Sequence, residues 1–247
     1  MAGMDYQHSY LTDMGRDIAP PSALDGALRK RVLEFHLRHL LPKISRGPAL
    51  DVGCGRGEAM LAWKALGFAP VSGCEIGAEQ IRAGRAAGMD IEEEDGLAFL
   101  RKSRDQALVT AFDVLEHLDA AVCDALLDAA FHALRAGGWL VVQFPNAASP
   151  FFGTVQYADP THRTVLGAPV VAAKLRKIGF RDVRAFESGP VPHGVASRLR
   201  LAAWQGIRSV IKIFNVIETG SPGEGPHTRV CLVAAQRPSA TSASTKA

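Results

Sequence analysis

Short apolar runs that end in glycine or proline alternate with segments of helical periodicity along most of this chain. Ser22 or Asp25 can cap a first helix that runs to Leu41, with apolar positions at Leu24, Leu28, Val32, Phe35 and Leu40, and Pro42 stops it. Pro48–Val52 reads as a buried strand running into glycines. Glu58–Leu66 reads as a helix closed by Gly67. Strand Pro70–Glu75 and helix Ala78–Ala87, closed by Gly88, repeat the unit. Met89–Glu94 and Ala107–Phe112 are the next strands. Helix Ala120–Leu134, terminated by Ala136-Gly-Gly138, leads into strand Trp139–Phe144 before Pro145. Helix Val170–Lys177 and strand Arg181–Glu187 follow, and Arg229–Ala235 is a last strand. The alternation predicts an α/β fold: a doubly wound, mostly parallel sheet with helices on both faces. Residues 1–41 form an arm and helix, 42–187 with 229–237 the core, 188–228 a helical insertion or lid, and 238–247 a Ser/Thr/Ala-rich tail expected to be disordered.

The bulk numbers narrow the class. A chain of 247 residues with 47% hydrophobic and 21% charged residues has the balance of a globular protein. A net charge of +3 argues for no specific nucleic-acid partner. Cys54, Cys74, Cys123 and Cys231 form no Cys-x-x-Cys pair, so neither a zinc ribbon nor a disulfide framework is suggested, and free thiols fit a reducing cytoplasm. No apolar run reaches the ~20 residues that span a bilayer.

The chemistry begins at Ala49-Leu-Asp-Val-Gly-Cys-Gly-Arg-Gly-Glu58. Glycines at 53, 55 and 57 let a ligand lie against main chain at the carboxyl edge of the sheet. Asp51 can hold an ammonium group, directly or through water. Glu75, closing the second strand, can accept from both hydroxyls of a ribose. Asp95 can meet the amino group of an adenine, with Leu97 against the ring. A dinucleotide would want Gly-x-Gly-x-x-Gly and a phosphate at the helix N-terminus, where Glu58 would repel it.

Residues 48–145 resemble the core of the class I S-adenosylmethionine-dependent methyltransferases, and Gly179–Glu187 with Arg229–Ala235 resemble its terminal antiparallel pair. The resemblance implies a Rossmann-like sheet of seven strands with the final one antiparallel. It implies a site for S-adenosyl-L-methionine built from Asp51, Gly53, Cys54, Gly55, Glu75, Ile76, Asp95, Gly96, Leu97 and Asp113. Arms before the core often fold over the cofactor in this family, a role open to Tyr6, His8 and Tyr10.

A second group lies in Phe112-Asp-Val-Leu-Glu-His-Leu118 and Tyr157-Ala-Asp-Pro-Thr-His-Arg163. If a helical turn starts at Asp113, then Asp113, Glu116 and His117 share one face at i, i+3 and i+4. Asp159 and His162 can meet them across the site. These five are the candidate catalytic residues. Asp113, Glu116, His117 and His162 can hold Mg2+ or Mn2+ to acidify a hydroxyl, as in the similar acidic-x-x-Glu-His motifs of metal-dependent RNA 2′-O-methyltransferases and ubiquinone O-methyltransferases. Alternatively His117 or His162 acts as a metal-free base, Glu-His only orders the loop, or Asp113 places the methionine part of the cofactor.

The acceptor is less legible. Asp159-Pro-Thr-His162 and Phe214-Asn-Val-Ile-Glu-Thr-Gly220 resemble methyltransferases of bacterial polysaccharide and lipopolysaccharide synthesis. They imply O-methylation of a sugar, glycan or lipid-linked glycan. A small aromatic or quinone-like acceptor and a non-catalytic cofactor-binding protein are the alternatives. In 197–217, Ala203, Trp204, Ile207, Val210, Ile211, Phe214 and Ile217 fall on one stripe, with Arg198, Arg208 and Lys212 toward the other face. That helix is read as a lid, a homodimer interface or a contact with the inner face of a membrane. The basic run Arg29-Lys30-Arg31 reads as a solvated face.

Overall fold

The computed structural model describes residues 19–223 and 225–239. Tyr6, His8, Tyr10 and the tail from residue 240 lie outside the described residues.

Helix α1 (Ala23–His36) opens with a capping box. The Ser22 hydroxyl accepts from the Asp25 N–H, and the Asp25 carboxylate accepts from the Ser22 N–H. The helix ends before the predicted Leu41, where a 3-10 turn (Leu41–Lys43) carries Pro42. Its buried face is Leu33, His36 and Leu37, whereas Leu24 and Leu28 are exposed. Gly26 sets this rotation, because a Cβ there would stand 2.7 Å from that of Leu61.

The remaining elements are β1 (Ala49–Val52), α2 (Glu58–Ala65), β2 (Val71–Glu75), α3 (Ala78–Ala86), β3 (Ile91–Glu93), α4 (Gly96–Lys102), β4 (Gln106–Phe112), α5 (Ala120–Ala133), β5 (Leu134–Pro145), α6 (Gly153–Gln156), α7 (Ala168–Ile178), β6 (Arg181–Glu187), α8 (Val195–Thr219) and β7 (Val230–Gln236). They form one seven-stranded sheet in the order β3-β2-β1-β4-β5-β7-β6. The strands β1 to β5 run parallel, while β7 is antiparallel to both β5 and β6. This is the Rossmann-like, mostly parallel seven-stranded sheet with an antiparallel final strand expected above.

Alternation along each strand sends side chains to two cores. Leu50, Val52, Val109, Ala111, Leu140 and Val142 meet α4, α5 and α7 on one face. Ala49, Leu108, Trp139 and Val141 meet α1, α2 and α3 on the other. Strands buried on both faces read as continuous apolar runs, which is why they were legible.

The start of β5 differs from the expectation. Gly137 and Gly138 do not cap the preceding helix, which ends at Ala133. They lie inside β5, where Leu134 pairs with Gln106 and the register shifts before Leu108 meets Trp139. Gly138 is needed there, since a Cβ would stand 2.7 Å from the Gln106 carbonyl oxygen.

α8 dominates the 188–228 segment. Its inward ridge is pinned to the end of β6, where Glu187 Oε2 accepts from Trp204 Nε1 and Arg208 Nη1, each at 3.1 Å.

Candidate active site at the carboxyl edge of the sheet

β1 and β4 lie side by side at the centre of the sheet, and the chain leaves them toward opposite halves. Such a switch point opens a crevice at the carboxyl ends of the strands. Here it is a cavity of about 700 Å³. Gly53, at φ +61°, turns the chain out of β1, and a Cβ there would come within 2.6 Å of the Val114 side chain. Gly55, at φ +55°, faces open space within the cavity.

Glu75 ties this loop to the end of β2. Its carboxylate accepts from the Gly55 N–H at 2.9 Å, the Ile76 N–H at 2.8 Å and the Gly77 N–H at 2.9 Å. A carboxylate has about four lone-pair directions, so a ribose would share a group already shaping both loops. Asp95 caps α4, where its Oδ1 accepts from the N–H groups of Leu97 and Ala98. Of the expected cofactor residues, Gly53, Gly55, Glu75, Ile76, Asp95, Gly96, Leu97 and Asp113 line the cavity. Leu118, Val122 and Leu126 add an apolar wall that sequence reasoning missed. The polar line Asp124, Asp128 and His132 marks the solvent side of α5, but the sequence does not tell an apolar side chain that meets a ligand from one that meets the core.

Asp51 and Cys54 do not line it. The Cys54 thiol packs behind the loop against Gly73, where a Cβ would be 2.8 Å from Sγ, and burial pushes its pKa well up. Asp51 is 2% exposed and accepts a hydrogen bond from the Thr110 hydroxyl. Burial raises its pKa to about 7, against the opposing effects of Thr110 and Arg29.

The second group departs from the expected single helical face. Asp113 has φ +56° and belongs to no helix, and a 3-10 turn covers Leu115–His117. A short polar side chain tolerates this left-handed backbone. The Asp113 carboxylate accepts from Gln143 Nε2 at 2.8 Å. Glu116 turns inward instead, and its backbone carbonyl receives the N–H groups of Arg163 and Thr164, fastening the 159–164 loop beneath the turn. Its side chain is 1% exposed, Oε2 has no hydrogen bond among the described residues, and burial with the charges of Asp113 and Asp159 raises its pKa to about 9.

His117 reaches the cavity wall together with Thr161. The Thr161 hydroxyl lies 2.6 Å from Asp159 Oδ1 and 2.8 Å from His117 Nδ1. Its single proton goes to the carboxylate, so it accepts from Nδ1–H, and Nε2 is the basic nitrogen of His117. Burial and the neighbouring His162 lower the His117 pKa. His162 sits behind, its ring 4.8 Å from that of His117, with Nδ1 at 3.0 Å from the Gln156 carbonyl. Glu116, His117 and His162 each offer a ligand atom within 4.8 Å of the others, a set from which Asp113 is absent. Thr161, overlooked in the sequence, stood between two residues already singled out in Asp159-Pro-Thr-His162.

Among the described residues, none of those lining the cavity comes from 188–228.

Comparison with known proteins follows this geometry. A family model described as a methyltransferase domain matches residues 24–208. No curated protein sequence matches the chain. A SAM-dependent methyltransferase from Archaeoglobus fulgidus superposes with a TM-score of 0.64 at 21% identity, covering 94% of this chain and 100% of its own. An S-adenosylmethionine-dependent methyltransferase from Mesorhizobium loti gives 0.54 at 19%, over 81% and 95%. The phosphoethanolamine N-methyltransferase 2 of Haemonchus contortus, in complex with phosphomonomethylethanolamine and S-adenosylhomocysteine, gives 0.56 at 15%, over 93% and 56%. The match over 24–208 takes in β1 to β6 and the glycine loop, and the chain belongs to the methyltransferase-domain family.

Proposed function

We propose that this chain is an S-adenosylmethionine-dependent O-methyltransferase that acts on a sugar hydroxyl of a glycan or glycan precursor. The observation that carries the reading is the Asp159–Thr161–His117 chain at the cavity wall. When bound, the cofactor supplies a methyl group made electrophilic by its sulfonium. The glycine loop and Glu75 are the cradle for it, and the open space at Gly55 is where its bulk fits.

The protein must then align a nucleophile and take up its proton. A sugar hydroxyl is a weak acid, so its oxygen attacks well only when a base stands beside it. His117 Nε2 receives the proton that the hydroxyl loses as its oxygen bonds to the methyl carbon. Asp159, through Thr161, keeps the other ring nitrogen protonated. A phenol ionises readily and needs such a base less. Asp113, His117 and Thr161 also give the wall the hydrogen-bonding groups that neighbouring hydroxyls use.

A second reading has its own observation. Glu116, His117 and His162 converge, and the buried Glu116 Oε2 is where a divalent cation would relieve an unsatisfied acid. Mg2+ or Mn2+ held there would acidify the hydroxyl in place of a base.

Release of S-adenosylhomocysteine, followed against a panel of sugars, phenols and amines, tests the proposal. Turnover is expected with sugar hydroxyls, and His117→Ala should lower it roughly 100-fold or more while cofactor binding persists. Turnover confined to phenols or amines overturns the acceptor. Binding without any turnover leaves a non-catalytic protein. Loss of activity in EDTA with rescue by Mg2+ or Mn2+ replaces the base with the metal.

A further inference from the structure

α8 presents apolar side chains both to the domain and to solvent. The ridge facing the domain carries Ser197, Leu201, Trp204, Arg208, Ile211 and Asn215, anchored through Glu187. The ridge facing outward carries Val195, Leu199, Val210, Ile213 and Ile217, at helical spacing on one side, and these side chains are 60–80% exposed. A row of large apolar side chains in water implies a partner. Among the described residues nothing covers it.

The charge around the row says which partner. α8 contains Arg198, Arg200, Arg208 and Lys212 against one acidic residue, Glu218, in its last turn. Arg208 is paired with Glu187, which leaves Arg198, Arg200 and Lys212 flanking the apolar row. Two copies of such a helix would bring like charges together. An anionic lipid surface offers the complement to both the apolar row and its cationic flanks. No described helix is long and apolar enough to cross a membrane, so α8 would lie flat in the interface.

Its position gives the contact a direction. β6 is antiparallel to β7, which is antiparallel to β5, so Glu187 closes β6 at the same edge of the sheet as the cavity. We infer that α8 docks this chain on membranes rich in anionic lipid, with its apolar row in the headgroup boundary and the edge bearing the cavity toward the bilayer. The inference stands on α8 alone and needs no turnover, so it can fail while the methyltransferase reading holds, and the reverse.

Sedimentation of the full chain with vesicles tests it. Phosphatidylglycerol-containing vesicles should carry the protein down, and pure phosphatidylcholine vesicles should do so far less. Ile213→Glu should abolish binding. Arg198→Gln with Lys212→Gln should weaken it about thirtyfold, at roughly fivefold per basic residue. All three changes are at exposed positions, and unchanged thermal unfolding would show that the fold is kept. Equal binding by wild type and Ile213→Glu, or no binding to anionic vesicles, overturns the inference. A stable dimer that Ile213→Glu splits assigns the row to a second copy instead. Photo-cross-links from position 213 to residues 1–18 assign it to this chain's own N-terminal segment.

Discussion

Asp51 lies behind the glycine loop at a cost that can be measured. Its carboxyl is 2% exposed, and burial outweighs both the Thr110 hydroxyl and Arg29 to raise its pKa from 3.8 to about 7. The sign follows from linkage. Below pH 4 folded and unfolded chains both hold the proton, and nothing is lost. Between pH 4 and 7 the unfolded chain releases the proton and the folded chain keeps it, so stability falls as pH rises. Above the folded pKa both are ionised and the loss is complete. A shift of roughly 3 units at about 1.36 kcal/mol each makes that loss on the order of 4 kcal/mol. Asp51→Asn keeps an oxygen for Thr110 and removes the charge. Urea unfolding of both proteins at pH 4.5, 6 and 8 is the assay. The variant should be the more stable by several kcal/mol at pH 8, with the difference shrinking steadily toward pH 4.5. Other buried acids, Glu116 included, are common to both proteins and cancel. Parallel stability curves across that range would refute the reasoning.

Gly55→Ala should cost only about 1 kcal/mol of stability, the strain of φ +55° in a residue with a Cβ, yet remove most cofactor affinity in a titration, since that Cβ projects into the cavity. Glu75→Gln replaces one acceptor oxygen by a donor facing backbone N–H groups. Cofactor Kd should rise at least tenfold, and unfolding should show a loss of about 1–3 kcal/mol. Thr161→Val removes the acceptor for His117 Nδ1–H. The acid limb of the pH–rate profile should move, with kcat falling more than KM rises, whereas a purely structural role would leave the profile in place.

Much of the architecture was readable because it is written in periodicity. Strands β1, β2 and β4 fall within a residue or two of their expected bounds, since burial leaves apolar runs ended by turn residues, and β6 matches its expected bounds although it is half-exposed. Local signals misled where a tertiary contact decides. Gly137 and Gly138 look like a helix stop and are instead a kink in β5, set by Gln106 on a neighbouring strand. Asp113 fits a helical spacing with Glu116 and His117, yet its left-handed backbone turns it to Gln143. The apolar stripe drawn through α8 placed Trp204 and Ile211 beside Val210 and Phe214. The first two turn toward the domain and the others toward solvent, a division set by Glu187, a residue outside the helix. The roles of Asp51 and Glu116 depend on burial in three dimensions, which spacing along a chain does not record.

The separation of the cavity from α8 has a consequence for how such a chain can change. The ligand-facing walls are drawn from the β1–β4 half of the sheet and from the 113–126 and 159–164 segments. The 188–228 segment follows β6, the last strand at the other side of the sheet, and is moored at Glu187 and, through Pro226 and Thr228, at Asn146. Replacing or shortening that segment therefore leaves the ligand-facing walls intact, provided β6 and β7 still meet. The cavity and the apolar row of α8 are thus borne by separate parts of the fold, and either can change without rebuilding the other.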